Sequence, residues 1–279
     1  MAITDQEIKS LEEKACQLRK NIIDVTGWAG GAHIGGALSM VEMLILLYFK
    51  YAAIDPQNPD WEERDRIVVS KGHGGGYAAV LAQRGFFDFD MLKDFNKFKS
   101  PFGMHLDSNK VKGVDISTGS LGHGLPMTVG LSLGARVQGR KWQTCCILGD
   151  GECNEGTNWE AAMAAAHYKL DNLVVMVDRN NLMIDGPTEE VMSLEPLADK
   201  WAAFGFTVQK VDGHDFRQLA AAIDFAHEHD QGPVVIIADT VKGKGVDFME
   251  NEVKWHYGGL DTDLVAKAKE SVDRMYAGA

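Results

Sequence analysis

The chain has 279 residues, 45% of them hydrophobic and 24% charged, and a formal net charge of −12. A chain of this length can bury a substantial core. Its acidity, without a cluster of Lys and Arg, argues against nucleic acid as a partner. No run of residues reaches the roughly eighteen consecutive apolar positions of a membrane span, so a membrane protein is not expected.

The N-terminal segment and the cysteines both favour a cytoplasmic protein. Residues 1–20 predict a charged amphipathic helix that opens with a capping box between Thr4 and Glu7, and not a signal peptide. The cysteines lack zinc-like or disulfide-like spacing and are expected to be reduced core residues: Cys16, Cys145, Cys146 and Cys153. Adjacent Cys145 and Cys146 should point to opposite faces of a strand.

Short apolar segments alternate with helical patterns along the chain. Strands are predicted at 66–69, 143–148, 173–177, 207–211 and 234–240, and helices notably at 38–51, 127–138, 157–168 and 216–228. This alternation predicts an α/β fold, with a mostly parallel sheet covered by helices on both faces. No linker or repeat divides the chain, so residues 1–279 are predicted to form a single domain. Residues 100–124 form the longest stretch without a clear pattern and are expected to be functional.

Two of the predicted strands end in residues suited to a metal and a diphosphate. The strand at 143–148 leads into Gly149-Asp150-Gly151, and the strand at 173–177 leads toward Asn180. Ligands of open parallel sheets bind at the carboxyl ends of strands, so Asp150 and Asn180 are expected to converge. The glycines let the backbone approach a phosphate, and the following helix presents its N-terminus to it. A carboxylate, an amide oxygen and a nearby backbone carbonyl suit Mg²⁺ bound to a diphosphate.

This pair of motifs resembles the fingerprint of the thiamine-diphosphate enzymes. Further motifs narrow the resemblance to the N-terminal half of a transketolase, and they follow the order of that family across nearly the whole chain. They are Gly31-Ala32-His33, Ser70-Lys71-Gly72-His73-Gly74, Gly103-Met104-His105, Ser117-Thr118-Gly119-Ser120-Leu121-Gly122-His123-Gly124, Asn154-Glu155-Gly156, Ile184-Asp185-Gly186 and Trp255-His256.

The resemblance implies a role for each matching residue. The Mg²⁺ ligands are matched by Asp150, Asn180 and the backbone carbonyl of Leu182, and the cofactor contacts by His73, Gly119, Leu121, Gly151, Glu152, Asn180 and His256. The catalytic set is His33, His73, His105 and His256. Of these, His33 and His105 would contact the donor's terminal hydroxyl and carbonyl oxygen, and His256 would help to protonate the acceptor. Glu155 would link cofactor sites across a subunit interface.

A whole transketolase continues into pyrimidine-binding and C-terminal domains. The resemblance therefore implies one diphosphate-binding subunit of a split transketolase, completed by a C-terminal subunit on a separate chain. A homodimer of this chain within a 2+2 heterotetramer is expected. The implied reaction transfers a two-carbon ketol unit from a ketose to an aldose, with the cofactor as electron sink and histidines as proton carriers.

Other functions remain open on the sequence alone. The chain could belong to another thiamine-diphosphate enzyme, as a 2-oxo acid dehydrogenase α component or a deoxyxylulose-phosphate synthase-like protein, or it could be a non-catalytic cofactor-binding subunit. Pentose phosphates are the default substrates, with sulfonated or branched sugars also open.

Several residues of chemically active or apolar type are assigned to structural roles. His123 is expected to support the site without acting in catalysis, and the remaining histidines are interpreted as surface or core residues: His167, His214, His227 and His229. Met40, Met43 and Met163 are predicted to lie in the core, and residues 161–166 to form a tightly packed helix near a subunit interface.

Overall fold

A five-stranded parallel sheet organises the computed structural model, which describes residues 3–277. The strands are β1 (Arg66–Val69), β2 (Thr144–Gly149), β3 (Leu173–Arg179), β4 (Thr207–Asp212) and β5 (Val234–Asp239). Their spatial order is β1-β2-β3-β5-β4, and every neighbouring pair runs parallel. This confirms the predicted α/β fold, and each predicted strand overlaps an observed one.

Helices cover both faces of this sheet. They are α1 (Asp5–Ala29), α2 (Ile34–Ser39), α3 (Val41–Leu46), α4 (Gly74–Arg84), α5 (Gly124–Val137), α6 (Gly156–His167), α7 (Thr188–Val191), α8 (Leu197–Ala203), α9 (Phe216–Glu228) and α10 (Thr262–Tyr276). The capping box at the start of α1 is confirmed, because the Thr4 side chain accepts from the Glu7 N–H while the Glu7 carboxylate accepts from the Thr4 N–H. Within residues 3–277, no helix has the length and apolar character needed to cross a membrane.

The helix predicted at 38–51 is broken in the structure. Helix α2 ends at Ser39, Met40 lies between α2 and α3, and the last turn at Leu47–Tyr51 is π-helical. Ser39 has a tertiary partner at this break, because its hydroxyl donates to the buried carboxylate of Asp178 on β3 over 2.6 Å. The prediction of a single helix was therefore wrong. Apolar spacing carries no information about such a polar contact between distant residues, so the break could not be predicted from it.

Two hydrophobic clusters lie on opposite faces of the sheet. Cys145 belongs to the cluster under α1, α3, α4 and α9, whereas Cys146 belongs to the cluster under α5, α6 and α8. The prediction that these cysteines point to opposite faces is thereby confirmed, and all four cysteines are free. Met40 and Met43 are buried as predicted, but Met163 is 55% exposed, so its assignment to the core was wrong. It lies on the outward face of α6, which buries its alanines instead.

The carboxyl ends of four strands meet at one edge of the sheet. β1 leads into residues 70–73, β2 into Asp150, β3 into Asn180, and β5 into residues 240–242. The long segment at 100–123 is held to the same edge, because the Thr118 hydroxyl donates to the carbonyl of Val69 at the end of β1 over 2.8 Å. Parallel strand pairing therefore gathers chemically active side chains from distant parts of the chain.

Candidate functional site

A cavity of about 470 Å³ opens at this edge of the sheet. Every site residue predicted from the sequence lines it: His33, His73, His105, Gly119, Leu121, Asp150, Gly151, Glu152, Glu155, Asn180, Leu182 and His256. A second cavity of about 490 Å³ lies at the opposite edge. Its guanidinium groups are engaged by neighbours, since Arg136 contacts Asp171 and Arg140 contacts Glu62. The first cavity is therefore the candidate active site.

Asp150 is held with its carboxylate nearly fully buried. One carboxylate oxygen accepts from the Gly151 N–H over 2.7 Å, and the other accepts from the Asn181 N–H over 2.6 Å and from Arg179 over 3.2 Å. Burial raises the pKa of Asp150, and the neighbouring Asp178 acts in the same direction. A cation in the cavity would offset both effects and favour the ionised carboxylate.

Asn180 and Leu182 contribute two further oxygen atoms to the cavity that Asp150 lines. The Asn180 amide nitrogen donates to Asp178 over 3.0 Å, and its oxygen accepts from the Leu182 N–H over 3.2 Å. The carbonyl of Leu182 accepts from the ammonium of Lys242 over 2.8 Å. Among residues 3–277 no group of three His, Cys, Asp or Glu side chains is arranged for a metal. The cavity instead offers one carboxylate with neutral oxygens, which suits a hard cation that takes its remaining ligands from an anionic cofactor.

Lys71 and Lys242 are cationic residues that the sequence interpretation did not assign to the site. The Lys71 ammonium is paired with Asp178 and donates to the Gly36 carbonyl. Burial would raise the pKa of Asp178, but the charge of Lys71 together with the hydrogen bonds from Lys71, Ser39 and Thr240 outweighs it, so the pKa is lowered. Burial, aided by the charge of Lys71, lowers the pKa of Lys242 to about 8. Lys242 follows the end of β5, and this position was the available signal in the sequence.

Glycines shape the pocket around His105. Gly119 has a φ of +132°, and a Cβ on it would lie 2.5 Å from Cγ of His105. Gly72 has a φ of +72°, and its Cβ would lie 3.1 Å from Cε1 of the same ring. The imidazole is therefore packed against two backbone positions that only glycine fits without displacement. This packing brings His105 into the cavity from the long loop.

The four predicted histidines form one group centred on His33. Its ring centroid lies 5.2 Å from that of His73, 6.0 Å from that of His105 and 5.5 Å from that of His256. The Tyr257 ring packs edge-on against His33 at 5.3 Å. Nδ1 of His33 is buried and has no hydrogen-bond partner among the described residues. Buried polar atoms without a partner are uncommon in folded proteins, so this atom marks His33 as unusual.

Burial keeps three of these imidazoles, those of His33, His73 and His256, unprotonated at neutral pH. It lowers the pKa of His33 to about 4, that of His256 to about 3, and that of His73 well below the ordinary value. Hydrogen bonds assign two of the tautomers. Nδ1 of His73 faces the Lys71 carbonyl and must donate, which leaves Nε2 as an acceptor. Nδ1 of His256 accepts from the Lys242 ammonium over 2.8 Å, which leaves the proton on Nε2. The cavity thus contains one imidazole acceptor and one imidazole donor.

The two predicted glutamates differ in environment. Glu152 is buried, and its carboxylate accepts from the Ser70 hydroxyl, from the Gly122 N–H over 3.0 Å and from the Gly149 N–H over 3.1 Å. It therefore holds together the segment after β1, the long loop before α5 and the end of β2. Glu155 is exposed at the rim, just before α6.

The other histidines lie outside the cavity lining. His123 is exposed, with Nδ1 at 3.3 Å from the Ser120 hydroxyl, and His229 contacts Thr207 over 3.1 Å. His167 packs on Tyr168 and His227 on Tyr51. His214 has a different environment, in contact with the buried carboxylate of Glu42.

This fold and this cavity are those of an α/β enzyme class that binds a diphosphate cofactor at the ends of parallel strands. Comparison with known proteins gives the family. Residues 11–274 match the family described as transketolase, thiamine diphosphate binding domain. The chain belongs to the transketolase family, whose members are thiamine-diphosphate-dependent transferases. Within that family it corresponds to the N-terminal subunit of a split transketolase.

The most similar relatives include separate subunits of nearly the same length. The chain is 41% identical to the 6-deoxy-6-sulfo-D-fructose transketolase subunit SqwG of Clostridium sp., over 98% of this chain and 99% of that protein. It is 40% identical to one of the subunits of the apulose-4-phosphate transketolase of Actinobacillus succinogenes, over 94% of this chain and 95% of that protein. Human transketolase is 34% identical over 98% of this chain, which spans only 43% of the human protein.

The solved structures agree with this assignment. Transketolase from Campylobacter jejuni superimposes with a TM-score of 0.88 at 31% identity, covering 94% of this chain and 42% of that one. The chain therefore spans less than half the length of the solved transketolase that it matches. The fold is shared with the matched part of that enzyme.

Proposed function

We propose that this chain is the diphosphate-binding subunit of a split transketolase, which transfers a two-carbon ketol unit from a ketose to an aldose. The observation that carries the proposal is the convergence of Asp150, Asn180 and four histidines on one cavity. A metal-diphosphate site and a proton-transfer site are thereby adjacent. A non-catalytic subunit, the alternative, would not require the proton-transfer site.

Mg²⁺ would be held by the carboxylate of Asp150, the amide oxygen of Asn180 and the backbone carbonyl of Leu182. These atoms are hard oxygen ligands, and the Leu182 carbonyl already accepts from a cationic group. Lys242 would place a positive charge beside the diphosphate, with a pKa near 8 that keeps it mostly protonated at neutral pH. Two sources of positive charge would then face the anionic cofactor.

Thiamine diphosphate would contact the site through glycine-rich backbone and a few side chains. The proposed contacts are His73, Gly119, Leu121, Gly151, Glu152, Asn180 and His256. The Glu152 carboxylate already accepts hydrogen bonds from Ser70, Gly122 and Gly149. Its contribution would be to hold the backbone segments that meet the diphosphate. The bound cofactor supplies the electron sink for the two-carbon fragment.

The histidines would move protons on and off the substrates. His33 and His105 would bind the terminal hydroxyl and carbonyl oxygen of the donor, and His73 would accept a hydrogen bond at Nε2. His256 carries its proton on Nε2 and would donate it toward the acceptor carbonyl. Because burial lowers the pKa of His33 and His256, both remain able to act as neutral donors and acceptors at pH 7.

A second chain would supply the pyrimidine-binding domain. The names of the same-length relatives, which are subunits, support this proposal. Exposed apolar side chains at and near the cavity mouth, Leu121 and Ile184, and Met163 on α6 offer surface for such contacts. We propose a 2+2 heterotetramer, with a homodimer of this chain at its centre and Glu155 at the rim as the link between cofactor sites.

We propose a specialised ketose, ahead of ordinary pentose phosphates, as the donor. The same-length relatives are named for 6-deoxy-6-sulfo-D-fructose and for apulose-4-phosphate, whereas full-length transketolases are less similar to this chain. A cytoplasmic location is also proposed, because four free thiols, three of them buried, suit a reducing compartment.

The experiment combines this chain with a candidate C-terminal subunit, thiamine diphosphate, Mg²⁺ and one ketose at a time. Formation of an aldose shorter by two carbons supports ketol transfer and identifies the donor. Decarboxylation of pyruvate without ketol transfer would instead support another thiamine-diphosphate enzyme. Absence of both reactions in a complex that binds the cofactor would support a non-catalytic subunit.

A further inference from the structure

A buried ionic group lies behind the cavity and joins three separate elements. Arg19 on α1 pairs with Glu42 on α3 over 2.8 Å. The carboxylate of Glu42 also faces Nδ1 of His214, just before α9, over 3.0 Å. The side chains of these residues are only 0%, 3% and 12% exposed, respectively. None of the three lines the cavity.

The two outer residues of this ionic group, His214 and Arg19, both hold the loop that follows β5. The Val241 N–H donates to Nε2 of His214 over 2.9 Å. Nε of Arg19 donates to the Lys244 carbonyl over 3.0 Å. The loop packs against the aliphatic part of the Arg19 side chain, since a Cβ on Gly245 would lie 2.9 Å from Cδ of Arg19. The backbone is therefore fixed on each side of Lys242.

The hydrogen bonds also determine how His214 must be protonated. Nε2 accepts the Val241 N–H, so it carries no proton, and Nδ1 must be the atom that donates to Glu42. The ionised Glu42 carboxylate is a suitable acceptor because Arg19 is its ion-pair partner. One imidazole therefore transmits the position of Glu42 to the backbone at Val241.

Lys242 extends from this loop into the cavity. Its ammonium contacts both the Leu182 carbonyl and Nδ1 of His256 over 2.8 Å. A shift of the loop backbone would break both contacts. The proton of His256 would then no longer be confined to Nε2 by the ammonium at Nδ1. Buried ion pairs are weak sources of net stability, because desolvation offsets their attraction. We therefore expect this ionic group to fix the position of the loop more than to stabilise the fold.

We propose that His214 is a positioning residue that, together with Glu42 and Arg19, clamps the loop at Val241 and Lys244 so that Lys242 reaches Leu182 and His256. The structural part of this proposal concerns the loop alone. Its consequence for cofactor binding rests on the proposed function above.

The structural test is hydrogen exchange measured by mass spectrometry on the full chain. His214→Phe keeps an aromatic ring but removes both hydrogen bonds, and it should speed exchange of amides in residues 241–257 by about tenfold or more, with β5 and α9 unchanged. His214→Gln can both accept and donate, so it should exchange like the wild type. His229→Phe, at the opposite edge of the sheet, is the matched control and should leave 241–257 unaffected.

A second variant protects the test against misfolding. His214→Asn is too short to reach both Glu42 and Val241 and should loosen the same residues if His214→Phe does not fold. Unchanged exchange at 241–257 in the folded variant would overturn the proposal. Faster exchange spread evenly over the whole chain would also overturn it, because a merely structural histidine would act globally.

The functional arm uses the complex with the C-terminal subunit. His214→Phe should weaken thiamine diphosphate binding in the presence of Mg²⁺ by about tenfold, with recovery in His214→Gln. Loop exchange that rises while cofactor binding stays unchanged would overturn the functional consequence. Failure of the wild-type complex to bind the cofactor would instead count against the proposed function, and the exchange result would stand separately.

Discussion

The ammonium of Lys242 donates to Nδ1 of His256 over 2.8 Å. This contact connects the cationic part of the cavity to the histidine group, because the same ammonium also binds the Leu182 carbonyl. An ammonium has only protons to donate, so Nδ1 of His256 must be its acceptor. The proton of the imidazole therefore stays on Nε2, the atom that can donate to a substrate.

Lys242→Met should therefore impair both cofactor binding and proton transfer. The thioether keeps much of the side-chain volume but removes the charge and the donor to His256. We expect weaker thiamine diphosphate binding and a kcat lower by about 10²-fold, the lower end of a general acid contribution. Isothermal titration and steady-state assays of the complex measure the two effects. Lys254→Met, an exposed neighbour on the same loop, is the control. Equal behaviour of the two variants would contradict a role for Lys242.

Asp150→Ala should abolish tight Mg²⁺ binding while the fold survives. The variant removes the single carboxylate among the proposed ligands, and it also leaves Arg179 without one of its partners. Arg179 keeps Glu189 and Glu195, so the loss to stability should be limited. Titration with Mg²⁺ in the presence of thiamine diphosphate measures the affinity. Asp199→Ala, on the surface of α8, should match the wild type. Retained wild-type activity of Asp150→Ala at limiting cofactor would refute the metal site.

Gly119→Ala should displace His105. The added methyl would lie 2.5 Å from the ring, and the φ of +132° adds backbone strain. Overpacking of this kind costs about 1–3 kcal/mol, and the donor KM should rise as His105 moves. Gly139→Ala is the matched control, because Gly139 has a φ of +66° with no atom within 4 Å of its Cβ. Donor kinetics that stay unchanged in Gly119→Ala would mean that His105 does not bind the donor.

The unprotonated histidines make stability depend on pH in a defined window. The pKa values of His33 and His256, about 4 and 3 in the folded chain, lie below the ordinary 6.5. Between pH 6.5 and about 4 the unfolded chain binds more protons, so the free energy of unfolding should fall as the pH is lowered. His33→Gln should lose less stability over this window than the wild type. Denaturant unfolding at pH 7 and pH 5 measures the difference, and equal losses would argue against the low pKa.

The sequence predicted the elements that depend on local pattern. The strands and the Gly149-Asp150-Gly151 turn follow from apolar runs that end in glycine, and parallel pairing alone brings Asp150 toward Asn180. The break at Met40 was missed because it coincides with a hydrogen bond between Ser39 and Asp178, residues far apart in the chain.

His214 and Lys242 were missed for the same reason. Each takes its role from partners on other elements, and residue type and spacing do not specify those partners. Met163 was misplaced because apolar residues at helical spacing can also lie on the outer face of a helix. Local patterns therefore predict the sheet and its strand ends, whereas tertiary contacts determine which nearby polar groups serve the site.

We propose that this chain supplies half of an active site. The most direct measurement is a ketol-transfer assay, with thiamine diphosphate and Mg²⁺, of this chain alone, of the candidate C-terminal chain alone and of the two mixed, combined with the mass of each species in solution. We predict two inactive components, a homodimer of this chain, and an active complex containing two copies of each component. Robust ketol transfer by the 279-residue chain alone would contradict the claim.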